Sequence, residues 1–278
     1  MTKAKHERAP NHKATVFESI IIGSVATATE VMIDHPLWTL KTRAQYGSGF
    51  TINPQILYRG VVPNMISMAP ITSIQMGVDR GIQNVFFDGV TKPSNYQQVA
   101  SAFVAGVASA TVSCPIEMIM TQQSKLAGGF FTVGSHLIKQ SGWRCLSTGF
   151  FNIAMREGIF TVGYAVTSPY LKSKIKPYCR NDFEASVVSG IGAGVPAASA
   201  SQANDTLKTI QQAADPLQPV RAIDAAKKIY STHGVCGFFK GGFWRGARVA
   251  SAITIIGTVK GQMEEQFFNQ GVDTSFKK

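Results

Sequence analysis

The stretch from residue 93 to residue 116 contains no Asp, Glu, Lys or Arg, and its end overlaps the segment Pro115-Ile116-Glu117-Met118-Ile119-Met120. Two segments of similar pattern are Pro36-Leu37-Trp38-Thr39-Leu40-Lys41 and Ala203-Asn204-Asp205-Thr206-Leu207-Lys208. Small residues recur thirteen and nine residues before each segment: Gly23, Ala102 and Gly190, then Thr27, Gly106 and Gly194. Because small residues let helices approach closely, the pattern indicates three equivalent packed helices.

A second motif follows each segment and sets the length of the repeat. Its three copies end in glycine: Tyr58-Arg59-Gly60, Ser147-Thr148-Gly149 and Phe239-Lys240-Gly241. The three glycines are 89 and 92 residues apart. A unit of this length, used three times, accounts for nearly the whole chain and indicates a repeat architecture.

Uncharged stretches occur twice in each repeat, which predicts six helices. They are rich in Gly, Ala, Ser, Thr, Val and Ile and cover residues 19–29, 60–78, 93–116, 158–171, 185–204 and 249–259. The longer ones exceed the about five or six residues of a typical strand and match the roughly 20 residues of a membrane span. We therefore expect six helices, each with one face toward lipid and another toward a polar cavity.

The composition excludes several classes of protein. Charged residues make up 15% of the chain, against about 25% in an average soluble protein, and the mean hydropathy is +0.06. A disordered chain would be richer in charge and poorer in apolar residues. The net charge of +11 comes from Lys and Arg spread along the chain, whereas a nucleic-acid-binding protein would cluster them.

Motifs for catalysis, cofactors and metals are missing from the sequence. The four cysteines form no CxxC pair, which argues against a zinc site or a disulfide scaffold. Phosphate-binding and dinucleotide-binding glycine loops and the HExxH motif are absent as well. The first thirteen residues are basic and lack a signal-peptide cleavage pattern. We expect neither enzymatic activity nor a cofactor.

The repeated segments resemble the signature of the mitochondrial carrier family. That signature is a proline, an acid two residues later and a base three further on, followed by an aromatic–basic–glycine motif. The chain resembles a full-length, divergent member over residues 15–270. The resemblance implies an all-α membrane protein with six transmembrane helices in a threefold pseudosymmetric barrel. It also implies short matrix surface helices and odd-numbered helices kinked near Pro36 and Pro115, because a proline in a helix removes a backbone hydrogen bond.

The predicted domain boundaries follow from the repeats. A basic tail covers residues 1–14, three carrier repeats cover residues 15–92, 93–180 and 181–270, and a second tail covers residues 271–278. The resemblance implies a location in the mitochondrial inner membrane, with cardiolipin at the matrix-side helix N-termini and a monomeric state. The basic start and the divergence also resemble a secreted bacterial nucleotide carrier, which would place the protein in a host cell's mitochondria as a bacterial effector.

The resemblance further implies a ring of contacts that closes the matrix side, between the acid of one repeat and the base of the next. Glu117 is expected to pair with Lys208, and Asp205 with Lys41. Trp38 and Met120 replace the third acid and base, so we expect an apolar contact there. The family also places a glutamine four residues after the base, as Gln45 and Gln212 do here, and this glutamine would brace the ion pair.

The opposite gate is expected to be weak. In the family, acids and bases on the even-numbered helices close the cytoplasmic side. The acid positions hold Arg80, Pro169 and Lys260 in this chain. Without an acid, such a ring cannot close through ion pairs. We therefore hypothesise that the protein rests open to this side, or that its transport is less strictly coupled to exchange.

The resemblance places the substrate midway along the even-numbered helices. The expected substrate-binding residues are Arg248, Arg156, Glu157, Gly158, Ile159, Gln75, Asp79 and Arg245. Arginine binds carboxylates and phosphates through its planar fork, and an ionisable residue inside a membrane is by default a functional candidate. The predicted substrate is therefore an anionic metabolite.

Three functions remain open from the sequence. Gly158-Ile159 resembles the glycine–aliphatic pair of adenine-nucleotide carriers, which favours nucleotides such as ATP and ADP. Arg156-Glu157 resembles the arginine–acid pair of amino-acid carriers and favours an amino acid or another carboxylate. The missing cytoplasmic acids are also compatible with a degenerate carrier that has a scaffolding role.

Overall fold

The computed structural model describes residues 16–45, 51–58, 61–86, 94–123, 129–239 and 242–273, except for some helical side chains. All of its regular structure in these ranges is helical. The α-helices are α1 (Val16–Gln45), α2 (Pro54–Leu57), α3 (Val61–Phe86), α4 (Asn95–Gln123), α5 (Phe130–Ser141), α6 (Phe150–Val162), α7 (Ser168–Ile175), α8 (Asp182–Ala213), α9 (Ala222–His233) and α10 (Gly242–Asp273).

Six long helical segments correspond to the six predicted helices. Five of them are α1, α3, α4, α8 and α10, and the sixth consists of α6 and α7 joined through the π-helical turn Gly163–Thr167. The prediction of an all-helical chain is confirmed. Two segments in the described ranges are long and apolar enough to cross a membrane by length and composition, Val16–Leu37 and Asn95–Gln123.

The long helices pack in a circular order. Each of them contacts the next along the chain, and α10 packs back onto α1. Three short helices follow the first, third and fifth long helices: α2, α5 and α9. The helix pairs α1–α3, α4–α6 and α8–α10 therefore recur once in each sequence repeat.

Glycine allows the closest of these contacts. A Cβ atom on Gly106 would lie 2.5 Å from the carbonyl oxygen of Glu157, and one on Gly194 would lie 2.5 Å from the Cα of Ala250. On Gly23 it would lie 3.1 Å from the carbonyl oxygen of Thr72. The small residues that define the repeat in the sequence thus face the partner helix of the same repeat.

We predict that Gly106→Ala destabilises the protein, whereas Gly81→Ala does not. The new methyl group at residue 106 would collide with the backbone of α6, and overpacking of this kind costs about 1–3 kcal/mol. A Cβ atom on Gly81 would meet no atom within 4 Å, so the change there should be neutral or slightly stabilising. Thermal unfolding of the purified variants in detergent checks this, and equal melting temperatures would contradict the close α4–α6 contact.

Proline lies inside four of the long helices: Pro36 in α1, Pro70 in α3, Pro115 in α4 and Pro196 in α8. Each helix continues through its proline. In the third repeat, Ala203 occupies the motif position and Pro196 lies seven residues earlier. The kinks expected at Pro36 and Pro115 stay predictions.

Candidate functional site

A cluster of ion pairs joins α4, α6, α8 and α10 at the level of the repeated segments. The Nζ atom of Lys208 lies 2.6 Å from Oε2 of Glu117, so the structure brings together the two residues that the motif pairs across repeats 2 and 3. The side chains of Glu117 and Lys208 are each 12% exposed. This contact directly links α4 to α8.

Arg156 occupies the middle of the same cluster. Its guanidinium donates to both carboxylate oxygens of Glu117, at 2.5 and 3.2 Å, and to Oδ1 of Asp205 at 3.2 Å. It also contacts the carboxylate of its neighbour Glu157. Arg156 was expected to bind substrate, which stays a prediction, and the structure pairs it with acids of two repeats. The long arginine side chain reaches these acids from α6, which residue spacing alone does not reveal.

Arg245 is likewise engaged with α8. Its guanidinium donates to Oγ of Ser201 at 2.8 Å and to Oε1 of Gln202 at 3.3 Å, and its Nε lies 3.8 Å from Oδ2 of Asp205. Its predicted role as a substrate contact stays a prediction. The cluster as described contains three acids and three bases and has no net charge: Glu117, Glu157, Asp205, Arg156, Lys208 and Arg245.

Part of the predicted matrix gate lies outside the described residues. The side chains of Trp38, Lys41 and Gln45 are not among the described ones, so the pairs Asp205–Lys41 and Trp38–Met120 stay predictions. Met120 itself is half-buried on α4.

Gln212 lies beside the cluster without touching its ion pairs. Its amide donates to the carbonyl oxygen of Thr148 at 3.3 Å and accepts from the hydroxyl of Thr121 at 3.4 Å. The described contacts of Gln212 therefore do not include the Glu117–Lys208 pair that it was expected to brace. It still connects α8 to α4, one turn further along both helices.

A central cavity of about 180 Å³ lies directly against this cluster. Glu117, Arg156, Glu157, Asp205 and Arg245 form part of its wall. The other lining residues belong to α1, α3, α6 and α10: Thr27, Glu30, Met68, Ile71, Thr72, Gln75, Phe160, Arg248, Val249, Ala252 and Ile256. Arg248 was the strongest sequence candidate for a substrate contact, and the structure places it in this wall.

Gln75 is a fixed part of the wall. Its amide nitrogen donates to Ser109 at 3.0 Å and to Oε2 of Glu157 at 2.8 Å, and its oxygen accepts from the hydroxyl of Tyr164 at 3.1 Å. These bonds join α3, α4 and the α6–α7 helix. Gln75 is fully buried, and its hydrogen bond to Glu157 helps to fix that carboxylate in the cavity wall.

Gly158 and Ile159 do not line the cavity, although both were expected to bind substrate. A Cβ atom on Gly158 would lie 2.6 Å from the ring of Phe103 on α4, and Ile159 is half-buried on the same helix. A helix turns by about 100° per residue, so the face of α6 that presents Arg156, Glu157 and Phe160 to the cavity excludes their neighbours. The glycine–aliphatic pair is therefore a packing feature here.

Asp79 belongs to a second cavity of about 150 Å³ rather than to the central one. Its carboxylate accepts from Ser101 at 2.7 Å and from Gln83 at 2.9 Å. Arg80 and Lys260 line the same cavity. Both occupy acid positions of the gate predicted for the cytoplasmic side.

An apolar layer lies between the two cavities. It contains buried side chains from α1, α3, α10 and the π-helical turn: Ile22, Met76, Tyr164, Ile253 and Ile256. Ile22, Met76 and Tyr164 line the second cavity, and Ile256 lines the central one. The hypothesis that the protein rests open to the cytoplasmic side did not take this apolar layer into account. These apolar side chains pack together without involving an acid.

Glu30 and Asp34 were not among the site residues predicted from the sequence. Both are buried on α1, at 6% and 3% exposure, and Glu30 lines the central cavity. They follow directly after the uncharged stretch 19–29 and lie one helical turn apart, still within the apolar segment Val16–Leu37. An acid inside such a segment is a functional candidate, and that signal was present in the sequence.

Residues 180–271 match the sequence model of a family described as "Mitochondrial carrier protein". The mitochondrial carnitine carrier of Saccharomyces cerevisiae is 25% identical over 87% of this chain and 85% of its own length. The mitochondrial glycine transporter of Xenopus laevis is 26% identical over 90% of this chain and 91% of its own length.

A third relative, the mitochondrial aspartate-glutamate transporter of Saccharomyces cerevisiae, is 26% identical over 84% of this chain and 30% of its own length. These alignments extend well beyond the matched last third of the chain, and the relatives are named as carriers or transporters. The last third of the chain therefore matches the mitochondrial carrier family, and most of the chain is distantly similar to proteins named as carriers or transporters.

Proposed function

We propose that this protein is a member of the mitochondrial carrier family that moves small solutes with a carboxylate group, amino acids among them, and that Arg248 binds the carboxylate. One observation carries the proposal: Arg248 lines the central cavity and has no hydrogen bond or ion pair among the described residues. Arg156 and Arg245 line the same cavity but are held by acids of the protein. A guanidinium without a protein partner is suited to bind a carboxylate through two hydrogen bonds.

The nucleotide prediction finds less support than its amino-acid alternative. The central cavity, about 180 Å³, is smaller than the roughly 300–1,000 Å³ of sites for drug-sized ligands. Four acids and three arginines line it: Glu30, Glu117, Glu157, Asp205, Arg156, Arg245 and Arg248. A nucleotide triphosphate would bring several negative charges into a wall that already has an excess of acids. The names of the relatives refer to carnitine, glycine, aspartate and glutamate.

The proposed mechanism is alternating access through a threefold pseudosymmetric barrel of six transmembrane helices. The circular packing order of the long helices supports this arrangement. In this state the ion cluster would close the matrix side below the substrate, and the apolar layer would separate the cavity from the cytoplasmic side. Both barriers consist of contacts between different helices, so helix movement could open one while the other stays closed.

The remaining predictions follow from the family. The proposed location is the mitochondrial inner membrane, with several spans, and contact with cardiolipin and the monomeric state stay predictions. The comparisons lend no support to a secreted effector in a host cell. A scaffolding role would not require an unpaired arginine in the central cavity, so the exposure of Arg248 to the cavity favours transport.

Ligand-induced thermal stabilisation tests the proposal. A ligand at 100 times its dissociation constant stabilises a protein by about 2.7 kcal/mol, which is about 5–10 °C for a chain of this size. We expect glycine, aspartate or glutamate to raise the melting temperature of the purified carrier, and ATP to leave it unchanged. Stabilisation by ATP alone would support the nucleotide alternative, and stabilisation by none of the solutes would contradict a substrate site.

A further inference from the structure

Three side chains present oxygen atoms along one face of α1. Thr27, Glu30 and Asp34 are separated by three and four residues, a spacing that places side chains on the same side of a helix. All three are buried, with exposed fractions of 3%, 6% and 3%. Thr27 and Glu30 line the central cavity, and Asp34 lies one turn further along the same face.

These oxygens lack hydrogen-bond donors in the described structure. Oγ1 of Thr27 and Oδ2 of Asp34 are buried without a partner, and Glu30 has no hydrogen bond or ion pair among the described residues. The other oxygen of Asp34 accepts from the hydroxyl of Ser251 at 2.7 Å, which fixes the carboxylate. Buried polar atoms of proteins are nearly always hydrogen-bonded, so the two unpartnered oxygens of Thr27 and Asp34, on the helix face where Glu30 lines the cavity, indicate a ligand that donates hydrogen bonds.

The charges around these oxygens define the ligand further. Glu30 and Asp34 both lie within electrostatic reach of Arg248 on α10, but neither forms an ion pair with it. The cavity therefore offers a cation on α10 and two acids on α1. A solute that carries a carboxylate and a cation at opposite ends matches both sides.

A primary ammonium group fits the α1 face better than a quaternary one. A primary ammonium has three N–H donors, and Thr27, Glu30 and Asp34 each contribute at least one acceptor oxygen. A trimethylammonium group has none, and proteins hold it in cages of several aromatic rings. Phe160 is the one aromatic residue in the described lining of the central cavity.

We propose that Thr27, Glu30 and Asp34 form a subsite for the primary ammonium group of an amino acid whose carboxylate is bound by Arg248. The proposal rests on the function proposed above and adds the group that selects amino acids over simple carboxylates. It also predicts that betaines, in which the nitrogen is trimethylated, are poor substrates.

Uptake into proteoliposomes tests the subsite. The amino acid among glycine, aspartate and glutamate that the wild-type carrier takes up fastest is compared with its N-trimethyl analogue and with the carboxylate that lacks the amine. We expect the amino acid to be taken up at least tenfold faster than either analogue. Glu30→Gln should reduce this preference at least tenfold, because it slows uptake of the amino acid more than uptake of the amine-free carboxylate.

Matched controls separate the subsite from general damage to α1. Thr27→Val should lower uptake of the amino acid, whereas Thr29→Val should not, since Thr29 bonds to the backbone oxygen of Val25 on its own helix. Glu18→Gln is the control for the loss of a carboxylate elsewhere on α1. The selectivity of the wild-type carrier needs no variant and stays informative if Glu30→Gln does not fold.

The outcomes distinguish the two proposals. Equal uptake of the three analogues by the wild-type carrier would overturn the ammonium subsite and leave the carboxylate carrier intact. Uptake that depends on sodium but not on the amine would mean that the oxygens bind a metal cation, which also overturns the subsite. Failure to take up any of the carboxylates would contradict the proposed function itself.

Discussion

Replacing Arg248 with alanine is expected to reduce uptake of the carried amino acid about 100-fold. The change removes the guanidinium proposed to bind the substrate carboxylate. Loss of one partner of a buried charge pair costs about 2–5 kcal/mol, where 1.4 kcal/mol corresponds to a factor of ten. Folding should be little affected, because Arg248 has no hydrogen bond or ion pair among the described residues. Initial rates of uptake into proteoliposomes measure the effect.

Two further variants serve as comparisons for the uptake rate of Arg248→Ala. Arg248→Lys keeps the charge but not the planar fork, so we expect intermediate uptake. Arg221→Ala removes an exposed arginine at the start of α9 and should leave uptake unchanged. Uptake by Arg248→Ala at the wild-type rate would exclude the proposed carboxylate contact. An absence of transport by the wild-type protein would favour the scaffolding alternative.

Replacing Arg156 with leucine is expected to destabilise the protein strongly. The change leaves Glu117, Glu157 and Asp205 facing two bases instead of three, and breaking a buried ion pair from one side costs about 3–5 kcal/mol. At about 2–4 °C for each kcal/mol, the melting temperature should fall by about 10 °C. Thermal unfolding in detergent measures the loss, with Arg180→Leu as a control on an exposed arginine.

A compensating change tests whether charge balance explains this loss. Adding Glu157→Gln to Arg156→Leu restores equal numbers of acids and bases in the cluster, so part of the lost stability should return. A substrate contact would behave differently. If Arg156→Leu abolished uptake and left the melting temperature within about 1 °C of the wild type, the sequence-based assignment of Arg156 to the substrate would hold, and its structural role would be wrong.

Helical architecture and the main partners of the ion cluster could be predicted from the sequence, because both depend on spacing. The small-residue positions Gly106 and Gly194 recur at fixed distances from the motif, and they lie at the tightest helix contacts. Glu117 and Lys208 occupy equivalent positions in successive repeats, and they lie 2.6 Å apart. Because the motif is repeated, the same spacing predicts an equivalent contact in each repeat.

The detail of the candidate site could not be predicted in the same way. Whether Arg156 faces substrate or neighbouring acids depends on where its long side chain ends and on the position of Asp205 across the cavity. Gly158 was misplaced because one residue along a helix moves a side chain to another face. Glu30 was overlooked because it stands outside the repeated pattern, although a buried acid in an apolar helix is itself a signal.

The central claim is that the protein carries a small amino acid through a cavity in which Arg248 binds the carboxylate. Uptake of labelled glycine, aspartate and glutamate, measured beside labelled ATP in proteoliposomes that contain the purified wild-type carrier, tests it most directly. We predict saturable uptake of at least one of the amino acids, well above protein-free vesicles, and uptake of ATP at background level. Uptake of ATP together with background levels of all three amino acids would contradict the account.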